Sequence, residues 1–183
     1  MLISQKQRQE NIAEYLIYMY QIEDIIRAFR FDIDQIMDVF VKPSLPDSSF
    51  LNQYREWYAD LIKQMKLQRC DKEGHMESLQ EVLLELIYLH NTLISITNDE
   101  KYKNLVEQAK SFLDEFKQKS KMQNNHDVEV LVHAMYMKLQ LKVRKQEISP
   151  ETEEAMDKMR IQLAYLSREY HRMKSGTWNF NPN

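Results

Sequence analysis

Apolar positions recur every three or four residues through almost the whole chain, and nowhere alternate long enough to read as a strand. Residues 4–30 place Ile12, Leu16, Met19, Ile22, Ile26 and Phe29 at helical spacing. A short helix is expected over 33–41, opened by Asp32 with Gln35 three residues on, a pair able to cap reciprocally. The stripe Leu51, Tyr54, Trp57, Leu61 and Met65 marks a third helix over 48–70, opened by Asp47 or Ser48. Helices over 76–97 and 100–122 follow; Asn98-Asp99 separates them and caps the second. Of all segments, 100–122 has the cleanest single face: Tyr102, Leu105, Val106, Ala109, Phe112, Leu113 and Phe116. Asn124, Asn125 and His126 form a turn, and Asp127 is expected to cap a sixth helix, 128–147. Ser149, Pro150 and Glu151 open a seventh. Its Met156, Met159, Leu163, Leu166, Tyr170 and Met173 step by threes and fours like a coiled-coil seam.

The expected fold is therefore all-α, a compact bundle of about seven helices. Short loops favour antiparallel neighbours. The fourth helix (76–97) is apolar nearly all round and the sixth (128–147) has two apolar faces, so both are expected to be central. On 128–147 one face carries Val128, Val132, Tyr136, Leu139 and Val143; the other carries Val130, Ala134, Met137 and Leu141. The second face, and the seam of the seventh helix, raise the expectation of self-association. Residues 1–176 read as a single domain. Trp178 and Phe180 make 177–183 a tail expected to dock on the bundle rather than stand in water.

Composition sharpens this picture. Two Gly and four Pro in 183 residues leave no glycine-rich phosphate loop to write, and few tight turns. A formal net charge of −3 argues against a nucleic-acid partner, which needs a basic surplus or stripe. The one basic run, Lys138, Lys142, Arg144 and Lys145, falls in the last turns of a helix, where cations suit the negative dipole end. Cys70 is the single cysteine, in a charged stretch, and is expected to be a partly exposed, inert thiol. The polar N-terminus is unlike a signal peptide, and no apolar run approaches a membrane span. The expected location is cytoplasmic, with no membrane partner.

Two sets of residues are candidates for chemistry. On the helical wheel Glu23 falls between Ile12 and Leu16, mid-arc on the apolar face, with Arg27 four residues on; His90 falls between Leu79 and Leu83. A carboxylate on a core face must be paired, protonated or opened to a cleft. Glu23, Arg27 and His90 are thus expected to form a buried polar cluster, Glu23 pairing with Arg27. It serves either as a structural network or as a pocket for a small molecule or metal. The second set is the stripe Glu129, His133, Gln140 and Arg144. His126-Asp127, with His90 and Asp157, matches the split pattern of HD-type phosphohydrolases, but Asp127 already has a use as a cap. His126, Glu129 and His133 share a face, yet neither HExxH nor the di-iron Glu-x-x-His pair is present. No metal or other cofactor, and no catalytic residue, is expected from these patterns.

The segment Glu10-Asn11-Ile12-Ala13-Glu14-Tyr15-Leu16-Ile17-Tyr18-Met19, with Gln21, Glu23-Asp24 and Ile26-Arg27-Ala28 after it, resembles the start of an uncharacterised all-helical family of Bacteroidetes-type bacteria. That family is a domain of unknown function covering nearly the whole chain. The resemblance implies a cytoplasmic bacterial protein and brings no activity or site residue with it. The functional expectation is a non-enzymatic interaction or structural protein, self-associating or with a protein partner. The alternative is a helical enzyme or small-molecule binder built on the Glu23, Arg27 and His90 cluster.

Overall fold

The computed structural model describes residues 3–45 and 47–178, and helix is the only regular structure among them. The helices are α1 (Ile3–Glu10), α2 (Ile12–Ala28), α3 (Ile33–Gln35), α4 (Leu51–Leu67), α5 (Glu77–Ser95), α6 (Glu100–Ser120), α7 (Asp127–Val143) and α8 (Pro150–Lys174). Helix α3 runs on through a π-helical Ile36–Val41 into a last turn, Lys42–Ser44, and α4 is entered through a 3-10 turn, Ser48–Phe50. The expected starts at Asp32, Asp99 and Ser149 are all used: each side chain accepts a backbone N–H of its own first turn.

Several helix ends fall a few residues from expectation, the sixth at Val143 rather than 147, and two differences have a tertiary cause or change a cap. The 4–30 helix is broken at Asn11, whose backbone is extended (φ −152°, ψ 99°). The Asn11 side chain accepts the N–H groups of Ala13 and Glu14, both at 3.2 Å, and the Ser167 hydroxyl at 2.8 Å. The freed Ile12 N–H donates to Nε2 of His171 at 3.0 Å. Helix α8 thus supplies the partners that make the break affordable, and these were invisible to local periodicity. Asn11→Ala removes the cap and restores a good helix former; a loss of about 1 kcal/mol is expected in urea unfolding. The second difference is the start of α7. The cap is His126, not Asp127: Val128 N–H donates to His126 Nδ1 at 3.2 Å, and His126 N–H donates to Glu129 at 2.8 Å. Asp127 instead pairs with Lys117.

One buried apolar cluster draws residues from α2, from the π-helical continuation of α3 and from every helix from α4 to α8. Helix α7 packs against α2, α5, α6 and α8, and α8 packs chiefly on α6 and α7. The N-terminal halves of both apolar stripes of α7 are covered within the chain: Val128 and Val132 on one side, and Val130 and Ala134 on the other, are all fully buried, whereas Val143 and Met137 toward the C-terminal end are exposed. The seam of α8 is likewise a bundle contact, with Met156, Met159, Leu163, Leu166 and Tyr170 buried. The apolar surface behind the expected self-association is thereby narrowed to the C-terminal end of α7. Helix α5 buries Leu79, Val82, Leu86, Leu89 and Leu93, but leaves Leu84 and Tyr88 exposed, so it does have a wet side.

Cys70 is buried rather than partly exposed. Its thiol lies 3.5 Å from the carbonyl of Met65, and burial pushes its pKa up. Trp178 packs against the core. The remainder of the expected tail, 179–183, lies outside the described residues. No helix among the described residues is long and apolar enough to cross a membrane.

Candidate functional site

Glu23 is fully buried on α2, but its partner is not Arg27. Its carboxylate accepts the Met76 N–H at 2.8 Å and faces His75 Nδ1 at 2.5 Å. Arg27 turns to the same loop, 68–76. It donates to the carbonyls of Cys70 (3.0 and 3.2 Å) and Gly74 (2.5 Å), and to Asp24 at 2.8 Å. The i,i+4 spacing did put Glu23 and Arg27 on one face; the loop between α4 and α5 claims both. Its carbonyls and the His75 ring are better placed for them than they are for each other. Sequence reading missed His75, and a lone His after a Gly carries no periodic signal.

The Tyr20 ring stacks on His75 with centroids 3.5 Å apart, and Tyr136 meets Tyr20 edge-on at 6.0 Å. The Tyr136 hydroxyl donates to Asp24 and accepts from Gln140 at 2.8 Å. Helix α7 thereby brings part of the second candidate stripe toward the first. Gln140 joins through Tyr136, and His133 lies 6.5 Å from the Tyr136 ring. Burial, then the charge of His75, lowers the His133 pKa. Glu129 is spent on the α7 cap, and Arg144 lies exposed at the C-terminal end of the helix.

His90 is buried in a different cluster. Its Nδ1 is 2.7 Å from the Tyr102 hydroxyl, and its ring meets His126 edge-on at 5.3 Å. It shares no hydrogen-bond partner with Glu23 or Arg27. The HD-type set is not assembled: His90 and His126 meet, but Asp157 pairs with Arg160. Among the described residues no group of three or more His, Cys, Asp or Glu could hold a metal. Burial, then the charge of His126, holds His90 down at about 4 from its ordinary 6.5. The unfolded chain therefore takes up this proton first, and stability rises with pH across the window between those values. Urea midpoints are expected to fall from pH 6.5 to 4, and His90→Gln to flatten that slope. His133 and His171, also lowered, act in the same direction, so the flattening is partial.

The polar groups of these clusters are largely occupied by the protein itself. A pocket of about 370 Å³ is different. It lies where the α3–α4 arm meets α2. Tyr18 comes from α2, Phe40 and Val41 from the π-helical stretch, Tyr54 and Tyr58 from α4, and Ser44 and Leu45 from the connection. Ile3 and Phe50 line its mouth and are themselves exposed, at 50% and 40%. The local sequence explains the shape. Pro43 has no N–H to return to residue 39, and its ring crowds that carbonyl. The turns just before it widen to the π form, which often marks functional sites. A pocket of this size with apolar walls is in the range of small-molecule sites.

Tyr58 is 1% exposed, and its hydroxyl, which has no hydrogen-bond partner among the described residues, keeps part of that remaining exposure. Buried tyrosines usually find a partner. Burial, then Tyr54, pushes the Tyr18 phenol up to about 12. Burial, then Tyr18 and Tyr54, pushes Tyr58 higher still. The three phenols therefore share one neighbourhood, and those of Tyr18 and Tyr58 stay protonated at neutral pH. In sequence, Tyr54 is visible only as part of an apolar stripe. A wider polar cleft of about 620 Å³ runs along Asn11, Ser167 and His171. Its cations are taken: Arg168 and Arg172 pair with the buried Glu169, and Lys174 with Glu85.

Comparison with known proteins adds a family match. A family model described as a domain of unknown function matches residues 1–177. No curated protein and no solved structure matches the chain.

Proposed function

The chain belongs to the family Domain of unknown function (DUF4924), and from that premise we propose that it is a non-enzymatic binding protein whose ligand sits in the pocket between the α3–α4 arm and α2. The family description assigns no activity to carry over. The observation that carries the reading is a mostly apolar cavity of ligand size lined by Tyr58, whose hydroxyl has no hydrogen-bond partner among the described residues. The exposed apolar mouth, Ile3 and Phe50, supports it as an entry for a poorly soluble molecule. We further take the chain to act as one domain, since a continuous buried cluster links its helices. The N-terminal resemblance noted above supports a bacterial source.

The polar clusters act in this reading as structural networks. Glu23 and Arg27 fasten the 68–76 loop to α2, and His90 ties α5 to α6 through Tyr102. The test is a thermal-shift screen of small apolar molecules on the wild type and on Ser44→Trp. Ser44 is an exposed residue of the lining, so the indole fills the pocket without disturbing the core. Compounds that raise the wild-type Tm are expected to lose that effect on Ser44→Trp, whose own Tm is unchanged. Shifts that survive Ser44→Trp would place the binding elsewhere and end this reading.

A further inference from the structure

We infer that the pocket takes a neutral, mostly apolar molecule bearing a hydrogen-bond acceptor such as a carbonyl oxygen, and that it excludes carboxylates and phosphates. This rests on the binding role proposed above and names its ligand class. The first argument is charge. The lining contains no Lys, Arg or His. Lys42, next to the pocket, is already paired with Asp38. An anion entering would leave water with no cation to meet it, which is prohibitive in an apolar site.

The second argument is what the walls lack. Five aromatic rings, those of Tyr18, Phe40, Phe50, Tyr54 and Tyr58, supply a flat apolar surface. The Tyr18 and Tyr58 phenols are donors at neutral pH, and no described residue accepts from Tyr58. Ser44, the remaining side-chain polar group, donates to the Phe40 carbonyl at 2.8 Å. The missing element is thus an acceptor inside an aromatic cavity. A hydrocarbon fills the space and leaves the phenol unpaired; a ketone, ester or ether fills it and pairs the phenol.

The experiment uses the full chain and three probes of one shape: benzophenone, diphenylmethane and diphenylacetate. Affinities are read by ligand-observed NMR and confirmed as pocket binding by their loss on Ser44→Trp. Benzophenone is expected to bind about tenfold tighter than diphenylmethane, the worth of one neutral hydrogen bond. Diphenylacetate is expected to bind more weakly than both. Tyr58→Phe keeps the ring and removes only the hydroxyl. It is expected to abolish the difference between benzophenone and diphenylmethane while leaving the latter's affinity in place. Tyr18→Phe, measured in parallel, guards against loss of fold in the first variant. Equal binding of ketone and hydrocarbon by the wild type, or tighter binding of diphenylacetate, overturns the ligand class but leaves the pocket as a binding site. Failure of all three probes to bind in a Ser44-dependent way overturns the binding role itself, and the ligand class with it.

Discussion

Val130→Asp is expected to unfold the protein. Val130 is fully buried on the second apolar stripe of α7, inside a single chain. An aspartate there has no cation waiting for it and must either stay charged in an apolar core or take up a proton, both costly. The penalty is several kcal/mol, against a total stability of about 5–15 kcal/mol for a domain. Circular dichroism and urea unfolding should show loss of the cooperative transition. Leu84→Asp, on the exposed side of α5, is the control and should change stability by no more than about 0.5 kcal/mol. The pair also tests the packing of the bundle. If the second stripe of α7 were open to another subunit, Val130→Asp would give a folded, soluble monomer, and the covered face described above would be wrong.

Glu23→Ala should destabilise by about 3 kcal/mol, because it strips a buried carboxylate from two partners at once. The Met76 N–H is left without an acceptor, and His75 loses the group that holds its Nδ1. The effect should be smaller than for a wholly buried ion pair, since the His75 side chain is 34% exposed and regains water. Glu23→Gln retains an acceptor for Met76 and should lose roughly half as much. Urea midpoints at constant m-value report both. Because Glu23 anchors the loop, hydrogen exchange at Met76 should quicken in Glu23→Ala more than exchange in α7 does. Uniform quickening throughout the bundle would show that the network does not act as a local fastening.

Where helices start and stop was legible along the chain for simple reasons. Caps and breakers act within a few residues: Asp32, Asp99 and Ser149 each bond their own first turn. Periodicity alone likewise marked Glu23 and His90 as buried, since a residue in the middle of an apolar arc goes where its neighbours go. Their partners were another matter. His75 and Met76 lie in a loop more than fifty residues from Glu23, and no local pattern encodes that meeting. The break at Asn11 is of the same kind, since the groups that stabilise it, Ser167 and His171, sit on the last helix.

Local interactions thus determined the all-helical class, most helix boundaries and the identity of the buried face. These depend on backbone hydrogen bonds within four residues and on the side-chain period of the helix. Tertiary structure decided the rest. It closed the N-terminal halves of both stripes of α7 in one chain, sent Glu23 and Arg27 to a loop instead of to each other, and separated His90 from them. It also made the pocket, by bringing Tyr18 of α2 against Tyr54 and Tyr58 of α4 around the widened turns of α3. A wheel shows which side of a helix is apolar, but it does not show whether the neighbouring helix fills the space beside it. That depends on how three helices meet, and so the cavity exists only in the folded chain.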